Sequence, residues 1–232
     1  DENPADPTVS VIQVLIKNLP VTVVNYACHP DIIQGFQFSA DFPYFLSERI
    51  HMRIGGETMF IPGAIGGVQP ATEGKRVNYF ARTFGEDLAD AVYRIMKNPK
   101  VPENVLISFK RMVIRAPFEN NGLLLTAKKL GMTSGLLDKN QNITAEVGRI
   151  RIGPAEILTV PGELFPKIWQ RIKPEMSGEL KMIFGLTNGE FGYILLPEDY
   201  NSGKHKYHVS VSVGPTFGER VYEALKRLVA KS

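Results

Sequence analysis

The sequence predicts a mixed α/β fold: β-sheets of mixed direction, interrupted by hairpins and covered by helices, in a single layered domain. Short runs rich in β-branched residues alternate with stretches of helical periodicity, the pattern of a sheet with helices packed on it. Adjacent strand-like runs joined by tight turns break that alternation, which argues against a purely parallel, doubly wound sheet. The 232 residues, 44% hydrophobic and 22% charged, suit one large domain (residues 1–232), or two small ones with a shared interface, and a sizeable core.

Residues 8–16 and 21–26 are aliphatic and β-branched on either side of Lys17-Asn18-Leu19-Pro20, which reads as a hairpin. Its second strand runs into Ala27-Cys28-His29-Pro30, where the proline ends regular pairing. Asp41 is suited to cap a helix over 41–53, with Pro43 tolerated in its first turn. A short strand at 58–61 precedes the glycine-rich loop 63–70. Over 77–97, Phe80, Phe84, Leu88, Val92 and Met96 recur every four residues and mark the core stripe of a helix.

Residues 105–114 read as a strand, 120–130 as a helix stopped at Gly131, and 131–142 as an exposed loop. A hairpin turns at Gly153-Pro154 between 145–152 and 155–160. Pro161-Gly162-Glu163 then leads into a helix carrying Phe165, Ile168, Trp169 and Ile172. Strands follow at 180–186 and 192–196, and 207–213 alternates as a strand would. Phe217, Val221, Leu225 and Leu228 give the last helix its buried face.

The formal charge of +3 is small and the basic residues are dispersed, so nothing points to nucleic acid. No apolar run reaches the roughly 18–20 residues of a membrane-spanning helix, and no targeting segment is visible. A soluble protein is expected. Its single cysteine, Cys28, excludes an internal disulfide and a multi-cysteine zinc motif, and is compatible with a reducing, cytoplasmic compartment.

Polar residues gather at predicted strand ends, where open sheets place reactive groups. His29 offers an imidazole, the commonest metal ligand near neutral pH. Cys28 and His29, consecutive in an extended segment, point to opposite faces and do not share an ion. Glu163, between strand and helix, suits a metal ligand or a general base. On local grounds alone, His29 reads first as a structural histidine and Glu163 as a carboxylate complementing a helix dipole. The segment 185–193, ending in Tyr193, and Tyr207 beyond it supply phenols at strand ends. In the loop 63–70, four backbone groups without bulky side chains could approach a substrate or supply oxyanion donors, and tight-turn geometry explains them equally well. The loop lacks the lysine of a P-loop and does not match a dinucleotide fingerprint.

Together and in this order, residues 25–30, Ser39-Ala40-Asp41, 63–70, 150–153, Pro161-Gly162-Glu163, 185–193 and Tyr207 with Gly214-Pro215 resemble the N-terminal catalytic domain of the neutral, non-lysosomal ceramidase family. The chain looks like a divergent microbial relative. Those enzymes are zinc amidohydrolases that split N-acyl sphingosine. The resemblance implies that His29 is a zinc histidine, Glu163 the carboxylate ligand and Tyr193 the tyrosine beside the metal. It implies that Tyr207 helps orient the substrate or its tetrahedral intermediate.

Where the family reads Gly-Asp-Val-Ser-Pro, this chain has Gly66-Gly67-Val68-Gln69-Pro70. Gln69 cannot act as a nucleophile, and Thr72 is a poor substitute for the missing serine. A second zinc histidine normally lies in an upstream Thr-His-x-His-like segment, which this chain does not contain. The expectation is therefore a zinc-dependent hydrolase in which an activated water attacks an amide or ester of a small-molecule or lipid substrate. Its zinc site would draw a further ligand from an upstream segment of the same domain. The competing expectation, motivated by Gln69 and Gly67, is a catalytically silent protein that keeps the fold as a binding or structural module.

Overall fold

A computed structural model describes residues 5–68, 78–133 and 135–230. Two compact units emerge. One comprises Ala64–Gly67 and the chain from Asn104 onward, and the other comprises Ala5–Gly63 and the segment Val68–Glu103. Gln69, Pro70 and Thr72 lie outside the described residues.

In the N-terminal unit, β1 (Ser10–Ile16) and β2 (Leu19–Tyr26) form the expected hairpin, in register from Ser10↔Asn25 to Ile16↔Leu19. Lys17 and Asn18 both have positive φ, 51° and 67°, the geometry of a two-residue turn whose twist matches the strands. β3 (Glu57–Pro62) then joins β2 in parallel. Helices α1 (Asp41–Ile54) and α2 (Asn78–Met96) contribute Phe42, Leu46, Ile50, Leu88 and Val92 to the core beside this sheet. Phe80, Phe84 and Met96 pack on it partly buried, so the four-residue stripe is a core face.

Asp41 does not cap α1 from outside. It is the first helical residue, with φ of 54°, and its carboxylate accepts from Phe42 N (2.7 Å) and back across the preceding loop from Ile33 N (2.6 Å). On the outer side, Arg49 reaches Asp90 with two hydrogen bonds of 2.9 Å, tying α1 to α2. That hydrogen bonding holds the Asp90 carboxyl below the usual carboxylate range.

In the C-terminal unit the main sheet has the order β4-β5-β6-β8, with β4 Ile107–Pro117, β5 Asn142–Ile152, β6 Ala155–Thr159 and β8 Leu180–Phe184. The first three strands are antiparallel neighbours, and β8 joins β6 in parallel. The sheet is therefore mixed, as the sequence predicts. A smaller parallel pair, β7 (Glu163–Leu164) with β9 (Tyr193–Ile194), lies outside it. Helices α4 (Pro166–Ile172) and α7 (Pro215–Val229) bury Ile168, Trp169, Phe217, Val221 and Leu225 against Val147, Leu158 and Ile183.

A buried ion pair stitches this unit: Arg149 Nε lies 2.6 Å from Glu156, which also accepts from Ser177 N (2.8 Å) and Gly178 N (2.6 Å). Arg149 also donates to Leu228 O at 2.8 Å, near the end of α7. Removing one partner would strand the other charge in the interior.

Two shorter helices complete the path to the site, α5 (Pro197–Tyr200) and α6 (Lys206–Ser210); before them, α3 (Asn121–Lys129) is capped by the Asn120 side chain on Leu123 N. Here the structure corrects the strand expected at 207–213, most of which is α6 and the turn after it. Local bonds explain this. Val209 N donates to His205 O (2.9 Å), and Ser210 Oγ donates to Tyr207 O (2.6 Å). The Asn120 amide donates to the carbonyls of Val209, Ser210 and Ser212 at 3.0–3.1 Å. Backbone groups met in this way have no need of a ladder, and pairing survives only as a single bridge, Gly192↔Ser212.

Candidate functional site

The short β7–β9 pair puts a carboxylate next to a phenol. Glu163 and Tyr193 are register partners on parallel strands, so their side chains leave the same face. Backbone bonds fix the pairing: Glu163 N donates to Gly192 O (3.0 Å), Phe165 N to Ile194 O (3.1 Å) and Tyr193 N to Val211 O (3.2 Å). Gly192 is required here. Its φ is 71°, and a Cβ would sit 1.8 Å from Val211 O, so any side chain would push apart the strand that presents Tyr193.

The Tyr193 hydroxyl hydrogen-bonds both Glu163 and Tyr207. Both bonds favour the neutral phenol, and Tyr193 donates to Glu163, whose carboxylate only accepts. Burial, reinforced by the negative charge of Glu163 and by Tyr207, raises the pKa of Tyr193 above the usual tyrosine value. Tyr193 is thus a neutral donor throughout the physiological range. Tyr207, 66% exposed, ends the chain where a solute can reach it.

A group of rings frames these hydroxyls. Phe165, fully buried, lies edge-to-face with Tyr193 (6.3 Å between centroids), His205 (5.1 Å) and His208 (5.4 Å). His208 in turn meets Tyr193 at 4.6 Å and Tyr207 at 5.5 Å. The glycine loop borders the same place. Gly66 N donates to Leu164 O at 2.9 Å, and Gly67 faces Phe165 and His208 Nε2. Ala64, Ile65 and Gly66 are buried, leaving Gly67 and Val68 as the partly exposed residues of the described loop.

The structure thus brings together three of the residues singled out in the sequence: Glu163, Tyr193 and Tyr207. His29, half-buried just beyond β2, belongs to the N-terminal unit, where Cys28 Sγ approaches its carbonyl oxygen at 3.6 Å. Sequence reasoning missed Phe165, His205 and His208 as site residues. The His-x-x-His spacing around Tyr207 was the available signal, because three residues place two rings on one helical face. Reading the segment as a strand concealed it.

A carboxylate, a phenol and an imidazole are donors that zinc accepts. Among the described residues, no three His, Cys, Asp or Glu side chains form a group that could hold a metal ion.

Fold and site together define a layered, mixed α/β protein with a carboxylate–phenol centre at the ends of short parallel strands. Among solved structures, the chain is similar to neutral ceramidase from Pseudomonas aeruginosa, with a TM-score of 0.67 at 14% identity over 97% of this chain and 47% of that one. It is similar also to a ceramidase complexed with C2, with a TM-score of 0.70 at 14% identity over 97% of this chain and 48% of that one. The chain spans about half the length of these structures. The likeness establishes a ceramidase-like fold, as the resemblance in the sequence implies. No family model and no curated protein matches the chain. No helix among the described residues is long and apolar enough to cross a membrane.

Proposed function

We propose that this chain is the greater part of a zinc-dependent hydrolase domain that cleaves an amide, of the N-acyl sphingosine kind, or an ester. The observation that carries the reading is the hydrogen-bonded chain from Tyr207 through Tyr193 to Glu163, built into a ceramidase-like fold. His29, Glu163 and Tyr193 would hold the zinc ion, with a further ligand contributed from outside this chain. Zinc would supply Lewis acidity, making a water nucleophilic near neutral pH.

The chain's own residues do the rest. Glu163 accepts the Tyr193 proton in a hydrogen bond and so fixes the direction of that phenol. Tyr193, held neutral, keeps a donor in the site at all physiological pH values. Tyr207, exposed at the end of the chain, is placed to orient a carbonyl or to steady the oxygen that gains charge as the carbonyl is attacked. Gln69 leaves the nucleophile to water rather than to a side chain.

Metal analysis of the purified full-length protein, with turnover of N-acyl sphingosine, tests this. About one zinc per chain and activity lost in His29→Ala and Glu163→Ala are expected. A protein that binds no divalent ion, or that is fully active as His29→Ala, contradicts it. Gln69 and Gly67 also motivate a second reading, a silent protein that uses the fold to bind. Turnover abolished by Glu163→Ala in a screen of amide, ester and lactone substrates would reject it.

A further inference from the structure

We infer that His208 is a positioning residue, which holds Tyr193 and Tyr207 in place through the faces and edges of its ring. His208 is the hub of the ring cluster, in contact with every other member: Phe165 at 5.4 Å, Tyr193 at 4.6 Å, His205 at 5.8 Å and Tyr207 at 5.5 Å. The interplanar angles run from 75° to 89°, so each contact is edge-to-face, the arrangement in which an aromatic pair gains most beyond its buried area.

Tyr207 needs such support more than Tyr193 does. Tyr193 is anchored by the β7–β9 pairing, whereas Tyr207 sits on a helix of only five residues and is 66% exposed. A phenol on so short an element keeps its hydrogen bond only if its ring is held, and His208, the next residue, lies against both phenol rings. Gly67 makes room for the hub. Its φ of 75° is a glycine conformation, and a Cβ there would lie 3.1 Å from Phe165 Cζ and 3.6 Å from His208 Nε2. A larger side chain at 67 would crowd the wall on which His208 rests.

The inference takes from the proposed function only that Tyr193 and Tyr207 are the phenols of the site, so its test reads them directly. Full-length protein labelled with 13C at tyrosine Cζ is compared with His208→Ala, His208→Phe and His208→Gln. Tyr193→Phe and Tyr207→Phe assign the two resonances, and thermal unfolding confirms that each variant folds. In His208→Ala both resonances move, His208→Phe restores them by restoring a ring, and His208→Gln does not. If the protein turns over an amide substrate, kcat falls about tenfold in His208→Ala with KM changed less than about twofold, and recovers in His208→Phe. Unmoved resonances in a folded His208→Ala overturn the inference. So does rescue by glutamine but not phenylalanine, which would assign the role to the imidazole nitrogens. Neither result depends on the protein being a hydrolase, so loss of that reading alone leaves this outcome intact.

Discussion

The two units each contain a knot of aromatic rings, and the difference between them separates packing from function. In the N-terminal unit, Phe42 meets Phe60 at 5.0 Å and Phe84 at 4.9 Å, both edge-to-face, and Phe42 is fully buried. In the C-terminal unit, Phe165, Tyr193, His205, Tyr207 and His208 pack with the same edge-to-face preference. The three phenylalanines of the first knot carry no polar group, and Tyr26 lies tilted against Phe84 at 6.3 Å between centroids. The second carries hydroxyls, imidazoles and a neighbouring carboxylate at half-exposed positions, where a polar group must be either solvated or occupied. Ring geometry alone does not mark a site; rings bearing linked polar groups at an accessible strand end do.

The contrast is broken most severely at Phe42. Phe42→Ala should destabilise the protein by about 3–5 kcal/mol, measured by urea or thermal unfolding, because a large ring leaves a cavity that its neighbours cannot fill. Tyr193→Phe keeps the ring and removes one hydroxyl. Its cost in stability should be no more than about 1 kcal/mol. Turnover of an amide substrate should fall about a hundredfold, the size expected when one preorganised donor is lost. A Tyr193→Phe protein with full activity would place the C-terminal knot in the same class as the N-terminal one.

Alkaline titration gives a smaller effect. The folded-state pKa of Tyr193 is raised, so its neutral form stabilises the fold fully below the unfolded tyrosine pKa of about 10. That contribution is lost as pH rises from there through the folded value. Tyrosinate absorbance should accordingly show late-titrating residues, since burial also raises Tyr26 and Tyr200, and the step due to Tyr193 should be absent in Tyr193→Phe.

The smallest effect belongs to Asp90. Its folded pKa is depressed by the Arg49 hydrogen bonds, so its contribution is present above the unfolded carboxylate pKa and disappears as pH falls through the folded value. Asp90→Asn should lower stability slightly at neutral pH and low salt. The difference should vanish in high salt or at strongly acidic pH.

Much of the fold was legible in the sequence because its elements declare themselves locally. The turn at Lys17-Asn18, the break at Gly153-Pro154 and the four-residue stripe from Phe80 to Met96 each reflect a period or a turn preference that a few residues impose. Glu163 was singled out by the family resemblance, since its local pattern alone reads as a carboxylate complementing a helix dipole. His208 was not. The residues from Tyr207 to Val213 alternate as a strand does, and the Asn120 side chain, distant in sequence, satisfies the carbonyls that a strand would have paired. No local pattern contains that information. No local pattern tells either that Ala64–Gly67 groups with the C-terminal unit while Ala5–Gly63 belongs to the other.

The most direct test of the carboxylate–phenol centre is hydrolysis of an N-acyl sphingosine by the full-length protein, compared with its Glu163→Ala variant under identical zinc. Release of fatty acid by the parent and its loss in a folded Glu163→Ala protein is the predicted result. Equal release by both proteins would show that the chain from Tyr207 through Tyr193 to Glu163 is not the site of the chemistry.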